Sequence, residues 1–121
     1  LTQKDISEVQ FAKSAIRSGI ELLARRMQVS VGDIRKVYLA GAFGNYMNPV
    51  SACRIGMIPP VLLDRIETIG NAAGEGAKLC ALNRHEFAYS QFLAAKTEFL
   101  ELASCPEFQD CYIDHLMFGE E

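Results

Sequence analysis

Apolar side chains recur every three or four positions through the first part of the chain, which is the period of one face of an α-helix. The positions are Ile6, Val9, Ala12, Ile16, Ile20, Leu23 and Met27. This pattern predicts a long amphipathic helix over 5–27. Thr2, followed three residues later by Asp5, has the arrangement of a capping box at the start of that helix.

Two short segments have the composition of β-strands, and each runs into a turn of small residues. The first spans about 35–40 and is followed by Gly41, Ala42, Phe43, Gly44 and Asn45. The second spans 66–69 and is followed by Gly70 and Asn71. Ligands of open α/β sheets usually bind beyond the carboxyl ends of the strands. Both turns are therefore candidate ligand contacts.

Helical patterns account for most of the remaining chain. They predict a single turn capped by Ser30 and Asp33, a short helix from Asn48 to Ile55, a helix of small residues over 72–82 and a second long helix over 84–103. Pro59 and Pro60 exclude a helix at their position, and 62–65 is ambiguous. Pro106 is expected to end the second long helix. The tail over 108–118 has no clear period and leaves room for one further strand.

The predicted fold class is α/β, with few strands and several helices. A two-stranded parallel sheet is too small to be stable by itself. We therefore expect the missing strands to come from a longer parent chain or from a partner subunit. The chain starts at Leu1 rather than Met, which fits a domain taken from a larger protein. We expect 1–121 to be a single domain, with a core over 1–83 and a C-terminal helix and tail over 84–121.

Composition and charge disfavour several classes of partner. The chain is 50% hydrophobic and 22% charged, as expected for a globular domain. Its formal net charge of -3 and the absence of a basic run argue against a nucleic-acid surface. No apolar run approaches the roughly 20 residues of a membrane helix, and no signal peptide opens the chain. We expect a cytoplasmic protein that binds neither nucleic acid nor membrane.

The residues that most often carry catalysis or bind metals are scattered. The cysteines at 53, 80, 105 and 111 lack the C-x-x-C spacing of metal sites, so we expect free thiols and no metal site formed by this chain alone. His85 and His115 lack partners at ligand or triad spacing and are interpreted as surface or helix-end histidines. Asp110 and Asp114 are interpreted as a solvated helix face. No catalytic residue is predicted.

The glycine turns fit neither of the familiar phosphate-binding spacings. A dinucleotide fold would rest only on a strand, a glycine and the distant Asp64, and is not favoured. Gly74 and Gly76 each cost a helix interior about 1 kcal/mol relative to Ala. Either a ligand approaches this backbone, or the helix packs closely on the sheet. Adenosine recognition suits such turns, because a flat ring fits between backbone segments that lack side chains.

Several motifs together resemble one superfamily and, within it, one family. They are Leu39-Ala40-Gly41-Ala42-Phe43-Gly44, Asn45-Tyr46-Met47-Asn48-Pro49, Arg54-Ile55-Gly56-Met57-Ile58-Pro59, Gly70-Asn71-Ala72-Ala73-Gly74-Glu75-Gly76-Ala77, Pro106-Glu107-Phe108 and His115-Leu116-Met117-Phe118. Their order resembles the last subdomain of the acetate and sugar kinase, heat-shock chaperone and actin superfamily. More narrowly, it resembles the iron-sulfur reductive activators of corrinoid proteins, over nearly the whole chain. The resemblance implies a partial ribonuclease-H-like (actin-like ATPase) subdomain with a few-stranded, mostly parallel sheet packed by three to four helices.

The resemblance also implies a parent protein with an N-terminal ferredoxin-like domain, which carries a [2Fe-2S] cluster, and a C-terminal ATPase that binds ATP or ADP with Mg. Such a parent reduces cobalt(II) corrinoid to cobalt(I) at the expense of ATP in anaerobic one-carbon metabolism. Its implied partner is a corrinoid iron-sulfur protein or a corrinoid methyltransferase protein. The phosphate loops and metal-holding acids of the superfamily lie in segments outside this chain. The chain alone is therefore not expected to hydrolyse ATP.

Carried over by position, the resemblance places the adenosine motif at Gly41, Ala42, Phe43 and Gly44, followed by Asn45. Gly70 and Asn71 lie at the second strand end. Ala42 departs from the pattern, since the superfamily usually has a second glycine there, and its methyl group would crowd the nucleotide.

An alternative function is a non-catalytic module that retains the fold without nucleotide binding and serves dimerisation or partner docking. Ala42, Tyr46 and the apolar side chains of the tail favour it. Those side chains are Tyr112, Leu116 and Phe118. The competing interpretation of the tail is that it packs on the core of its own chain.

Overall fold

The computed structural model describes residues 1–119. Its helices are α1 (Gln3–Arg26), α2 (Gly41–Tyr46), α3 (Pro49–Arg54), α4 (Ala72–Leu82), α5 (Arg84–Lys96) and α6 (Pro106–Asp114). Strands β1 (Val37–Ala40) and β2 (Ile66–Gly70) form a two-stranded parallel sheet. Three 3-10 turns cover Val31–Asp33, Pro60–Arg65 and Leu102–Ser104. The predicted α/β class and the two parallel strands are confirmed.

The chain divides into two compact units. The helical unit contains residues 1–37, 47–67 and, of the described tail, 101–119. The glycine-turn unit contains residues 38–46 and 68–100. Helices α1, α3 and α6 belong to the helical unit, and α2, α4 and α5 to the glycine-turn unit. This division does not test the prediction of one domain with a core over 1–83.

The predicted capping box at the start of α1 is confirmed. The Thr2 hydroxyl accepts a hydrogen bond from the Asp5 backbone N–H at 3.2 Å, and the Thr2 backbone N–H donates to the Asp5 carboxylate at 2.7 Å. These bonds lower the pKa of Asp5 below its ordinary value. Ser30 and Asp33 repeat the arrangement on the predicted single turn. Local side-chain chemistry therefore determines where both segments begin.

The buried face of α1 differs from the predicted apolar face. Ile6, Val9, Leu23 and Met27 are exposed. The buried positions are instead Lys13, Ser14, Ser18, Gly19, Leu22 and Ala24. Small side chains on this face allow other segments to approach closely, so that Leu102 packs beside Gly19. The contact face of α1 is therefore determined by how closely the backbones approach each other, which hydrophobic periodicity does not detect.

Helix α6 lies on this face of α1 and corrects two predictions about the C-terminal region. The predicted helix over 84–103 ends at Lys96. Pro106 begins a helix rather than ending one, because proline at the first helical position needs no backbone partner. The tail is held to α1 by hydrogen bonds from the Ser14 hydroxyl to the Tyr112 carbonyl and from the Lys13 ammonium to the Met117 carbonyl, the latter at 2.7 Å. The described tail therefore packs on its own chain and contains no strand.

The first glycine turn is also helical, since α2 starts directly after β1. Gly44 makes this possible: a Cβ there would lie 2.8 Å from the backbone carbonyl carbon of Leu39. Asn48 then caps α3, accepting from the Ser51 N–H at 2.9 Å, as predicted. With α2 and α6, the described residues contain more helices than the three to four expected.

The interior lies in the helical unit. Its buried apolar residues are Leu22, Ala24, Ala52, Cys53, Met57, Ile58, Leu62 and Cys111. In the glycine-turn unit Gly44 is the single buried residue, and aromatic side chains of α5 such as Phe87 and Phe92 are about half exposed. Within residues 1–119, no helix combines the length and apolar character required to cross a membrane.

We expect Asp5→Asn to lower the free energy of unfolding at neutral pH, because it replaces the carboxylate of the capping box. The folded-state pKa of Asp5 lies below the ordinary value of 3.8. The stabilisation by the carboxylate is therefore present above 3.8 and is lost as pH falls through the folded-state pKa. Urea unfolding of both proteins at neutral pH and well below 3.8 should show the difference shrinking on acidification. Glu8→Gln removes an exposed charge further along α1 and serves as control; an equal effect there would contradict the assignment.

We expect Gly44→Ala to destabilise the chain by about 1–3 kcal/mol, because the added methyl group would force β1 and α2 apart. Gly76→Ala is the matched control, since a Cβ at Gly76 meets no atom within 4 Å and the position lies inside α4. Alanine there should stabilise by up to about 1 kcal/mol. Equilibrium unfolding in urea measures both changes. Equal effects of the two substitutions would contradict the packing role of Gly44.

Candidate nucleotide site

The two small-residue turns lie at the same edge of the sheet. Strands β1 and β2 are hydrogen-bonded neighbours and run parallel, so their carboxyl ends point the same way. Gly41 directly follows β1, and Gly70 is the last residue of β2. Both turns belong to the glycine-turn unit. The fold therefore brings together the two segments that were predicted from the sequence to contact a ligand.

The backbone at both strand ends has the left-handed conformation that favours glycine. Gly41 has φ of 76° and Gly70 has φ of 66°. Apart from the adjoining residues and, for Gly41, the nearby backbone of its own helix, no described atom lies within 4 Å of the position that a Cβ would take at either residue. The backbone angle thus favours glycine at both positions. The space beside each turn is left open by the chain itself.

The first turn provides shape and backbone groups rather than charge. Ala42 and Asn45 are exposed, and Phe43 is 64% exposed. No charged residue occurs from 37 to 47. Gly44, by contrast, is buried against Leu39, so its small size is explained by packing. Of the predicted first-turn residues, Gly41, Ala42, Phe43 and Asn45 border free space.

The second turn is partly engaged in capping α4. Asn71 accepts a hydrogen bond from the Gly74 N–H at 3.0 Å through its side-chain oxygen. A Cβ at Gly74 would lie 2.9 Å from the Asn71 side-chain carbon Cγ. Gly74 is therefore explained by the cap, without a ligand. Gly76 has open space beside it and is not explained by packing on described residues.

The other candidate residues are placed as follows. His85 lies exposed in the first turn of α5, where its backbone N–H donates to the Asn83 side-chain oxygen at 2.9 Å, so it is a helix-end histidine as predicted. His115 is also at a helix end, as the C-cap of α6, but it has a partner. Its Nε2 atom lies 3.1 Å from Oε1 of Glu21.

His115 belongs to a cluster with Glu21 and Cys111 that was not predicted from the sequence. The Cys111 thiol donates to Oε2 of Glu21 at 3.5 Å, and Arg17 Nε lies 2.7 Å from Oε1. Cys111 and His115 are four residues apart on α6, a spacing that is visible in the sequence. Glu21 lies far earlier on α1, and only the packing of α1 on α6 identifies it.

The surroundings lower the pKa of the acid in this cluster and raise the pKa of its thiol. Partial burial raises the pKa of Glu21, but the hydrogen bonds and charges of Arg17 and His115 outweigh it, so the net pKa lies below the ordinary value. Burial raises the pKa of the Cys111 thiol, and the nearby Glu21 carboxylate adds to this increase. The Ser18 hydroxyl and Arg25 partly oppose it. The folded chain thus holds a carboxylate beside a protonated thiol.

Comparison with known proteins gives a consistent result. The family model described as the C-terminal domain of RACo, the ASKHA domain, matches residues 1–121. A corrinoid activation enzyme, RamQ of Eubacterium limosum, is 38% identical over 120 residues, which is 99% of this chain and 20% of that enzyme. The chain therefore spans about a fifth of the length of this relative.

These matches confirm the resemblance to activators of corrinoid proteins that the motifs indicated. They also name the superfamily, since ASKHA denotes the acetate and sugar kinase, heat-shock chaperone and actin group to which the two strand-end turns were compared. The chain belongs to the family of C-terminal ASKHA domains of RACo-type corrinoid activators.

Proposed function

We propose that this chain is the adenosine-side part of an ATP-dependent reductive activator, which helps to reduce a corrinoid protein from cobalt(II) to cobalt(I). The parent would bind ATP or ADP with Mg and carry a [2Fe-2S] cluster in another domain. Its partner would be a corrinoid iron-sulfur protein or a corrinoid methyltransferase protein. The observation that carries the proposal is the pair of left-handed glycines, with open space beside them, at the ends of adjacent parallel strands.

The chemistry of the two turns supports the adenosine end of a nucleotide rather than its phosphates. The first turn has no charged residue, and Glu75 is the single charged residue from 68 to 77. Neither turn therefore offers a cation for a phosphate group. An adenosine is neutral and flat, so open backbone and an exposed aromatic side chain such as Phe43 are suitable contacts. In this proposal the phosphates and Mg contact segments outside this chain.

Backbone amide NMR of the chain, titrated with ADP and ATP in the presence of Mg, tests whether this half-site is preformed. We expect shifts concentrated at 41–45 and 70–76, of similar size for both nucleotides, because they share the adenosine. If no amide shifts at millimolar nucleotide, the binding free energy is weaker than about -4 kcal/mol. Shifts centred on other segments would contradict the assigned position.

We expect Ala42→Gly to tighten nucleotide binding and Ala42→Val to weaken it, each by about fivefold. Removing the methyl group relieves steric crowding of the nucleotide and a larger side chain increases it, by about 1 kcal/mol, the lower end of the usual cost of overpacking. Ala42 is the suitable probe because it is exposed, whereas Gly41→Val would also strain a backbone with φ of 76°. Dissociation constants come from the same titration, or from ATP-dependent activation by the complete activator.

The matched controls for Ala42 are Ala88→Gly and Ala88→Val. Ala88 is likewise exposed and helical, on α5. These variants reproduce the change in helix propensity away from the strand ends and should leave affinity unchanged. Equal changes at Ala42 and Ala88 would mean that the effect arises from helix stability.

A second function, a docking surface for a partner or a second copy, is favoured by the exposed side chains of the glycine-turn unit. Leu82 is 78% exposed and Phe99 86% exposed. Exposed apolar side chains often mark interfaces where they form a contiguous patch. The tail supports this function less, since it packs on α1. Sedimentation with Leu82→Asp tests it: self-association of the unaltered chain that the variant loses supports an interface between copies, whereas monomers in both samples exclude that interface.

A further inference from the structure

The cluster of Glu21, Cys111 and His115 lies in the helical unit, apart in sequence from the glycine turns. Its three side chains offer a carboxylate oxygen, a thiol sulfur and an imidazole nitrogen, which lie within 4.8 Å of one another. These are the donor types of protein zinc sites, where three protein ligands and one water are a common set. The cluster was not expected from the spacing of the cysteines.

Glu21 lies close to both other donors, through one carboxylate oxygen in each case, and these two distances can be compared with those of a tetrahedral site. With Zn–N of about 2.0 Å and Zn–S of about 2.3 Å, ligand atoms lie roughly 3.3–3.8 Å apart. Glu21 Oε1 is 3.1 Å from His115 Nε2, and Glu21 Oε2 is 3.5 Å from Cys111 Sγ. One donor atom from each residue lies within 4.8 Å of the other two, so side-chain rotation would bring all three around one ion.

The backbone that carries these donors is fixed by contacts that do not involve them. Cys111 and His115 lie on one face of α6, four residues apart. The bonds from Ser14 to Tyr112 and from Lys13 to Met117 hold that helix end against α1. The third donor, Glu21, extends from α1 to the same point. A preorganised set of ligands loses less conformational freedom when a metal binds.

Ser18 provides an independent indication. It is fully buried, and its hydroxyl has no hydrogen-bond partner among the described residues. Ser18 lies three residues before Glu21 on α1, and therefore on the same face of that helix. A buried hydroxyl without an acceptor is costly. A metal-bound sulfur of Cys111 would be such an acceptor, and outer-shell groups commonly hydrogen-bond to metal ligands in this way.

Some charged residues around the cluster oppose the binding of a cation, and others favour it. Arg17 and Arg25 lie 2.7 Å and 3.7 Å from Glu21 oxygens and disfavour a further cation. The cluster opens, however, on a cavity of about 330 Å³ that Glu107, Asp110 and Asp114 also line. Three additional carboxylates offset the two guanidinium groups. The cavity also leaves room for water at a fourth coordination position.

We propose that Glu21, Cys111 and His115 form a binding site for a zinc ion, with a fourth position open to water in the adjoining cavity. Arg17 stays on Oε1 of Glu21. The ion binds Oε2, where it replaces the thiol proton and displaces the Arg25 guanidinium, which lies 3.7 Å from that oxygen. Cys111 loses its proton to solvent as the Zn–S bond forms, so no electrons are transferred. His115 binds through the neutral imidazole.

The test is titration of the metal-free chain with zinc, and with cobalt(II) as a spectroscopic probe. We expect one ion per chain, sulfur-to-cobalt charge-transfer absorption and visible bands typical of four-coordination. Cys111→Ser and His115→Gln should each weaken binding by at least the roughly 10–100-fold that loss of an outer-shell partner costs. Cys53→Ser removes another buried thiol, outside the cluster, and should leave affinity unchanged.

Ser18→Ala keeps every ligand and should weaken binding by about tenfold. Circular dichroism of each variant establishes that it remains folded. The titration of the unaltered chain decides the proposal even where a variant unfolds. Absence of a thiolate-to-cobalt band, or equal loss of binding in Cys53→Ser and Cys111→Ser, overturns it.

Discussion

The close contact between α1 and α6 is the interaction on which the helical unit depends. Small residues on α1, Ser14 and Ser18, replace the large apolar side chains that usually form such a contact. Their size allows helix backbones to approach, and the Ser14 hydroxyl then bonds a carbonyl of α6. The same approach buries Cys111 and places it beside Glu21, residues from opposite parts of the chain. The packing of α1 on α6 thus determines both the interior of the helical unit and the position of the cluster of Glu21, Cys111 and His115.

The glycine-turn unit is organised on a different principle. It has almost no interior, since Gly44 is its single buried residue. Its geometry follows from backbone requirements: left-handed glycines end the strands, Gly44 admits α2 beside Leu39, and Asn71 caps α4. Such a unit presents backbone and apolar side chains to whatever covers it. This agrees with a chain that spans about a fifth of its relative's length.

Features fixed by local chemistry could be predicted from the sequence, and features fixed by tertiary contact could not. The capping boxes, both strands, the 72–82 helix and the Asn48 cap follow from neighbouring residues, and all were found. The buried face of α1 was missed because periodicity measures hydrophobicity and not close approach. The beginning of α6 was missed because Pro106 was interpreted as a stop. Both glycine turns were identified from the sequence. The capping role of Asn71 and the contact between Glu21 and His115 became visible only in the folded structure.

The proposed division of the nucleotide site has a consequence for how an activator would respond to ATP. ATP and ADP share the adenosine, and these turns carry no cation for a phosphate. A ligand shifts a conformational equilibrium only by as much as its affinities for the two states differ. Discrimination between ATP and ADP would therefore arise at phosphate contacts outside this chain. In this proposal the strand-end turns would contribute affinity that is common to both nucleotides.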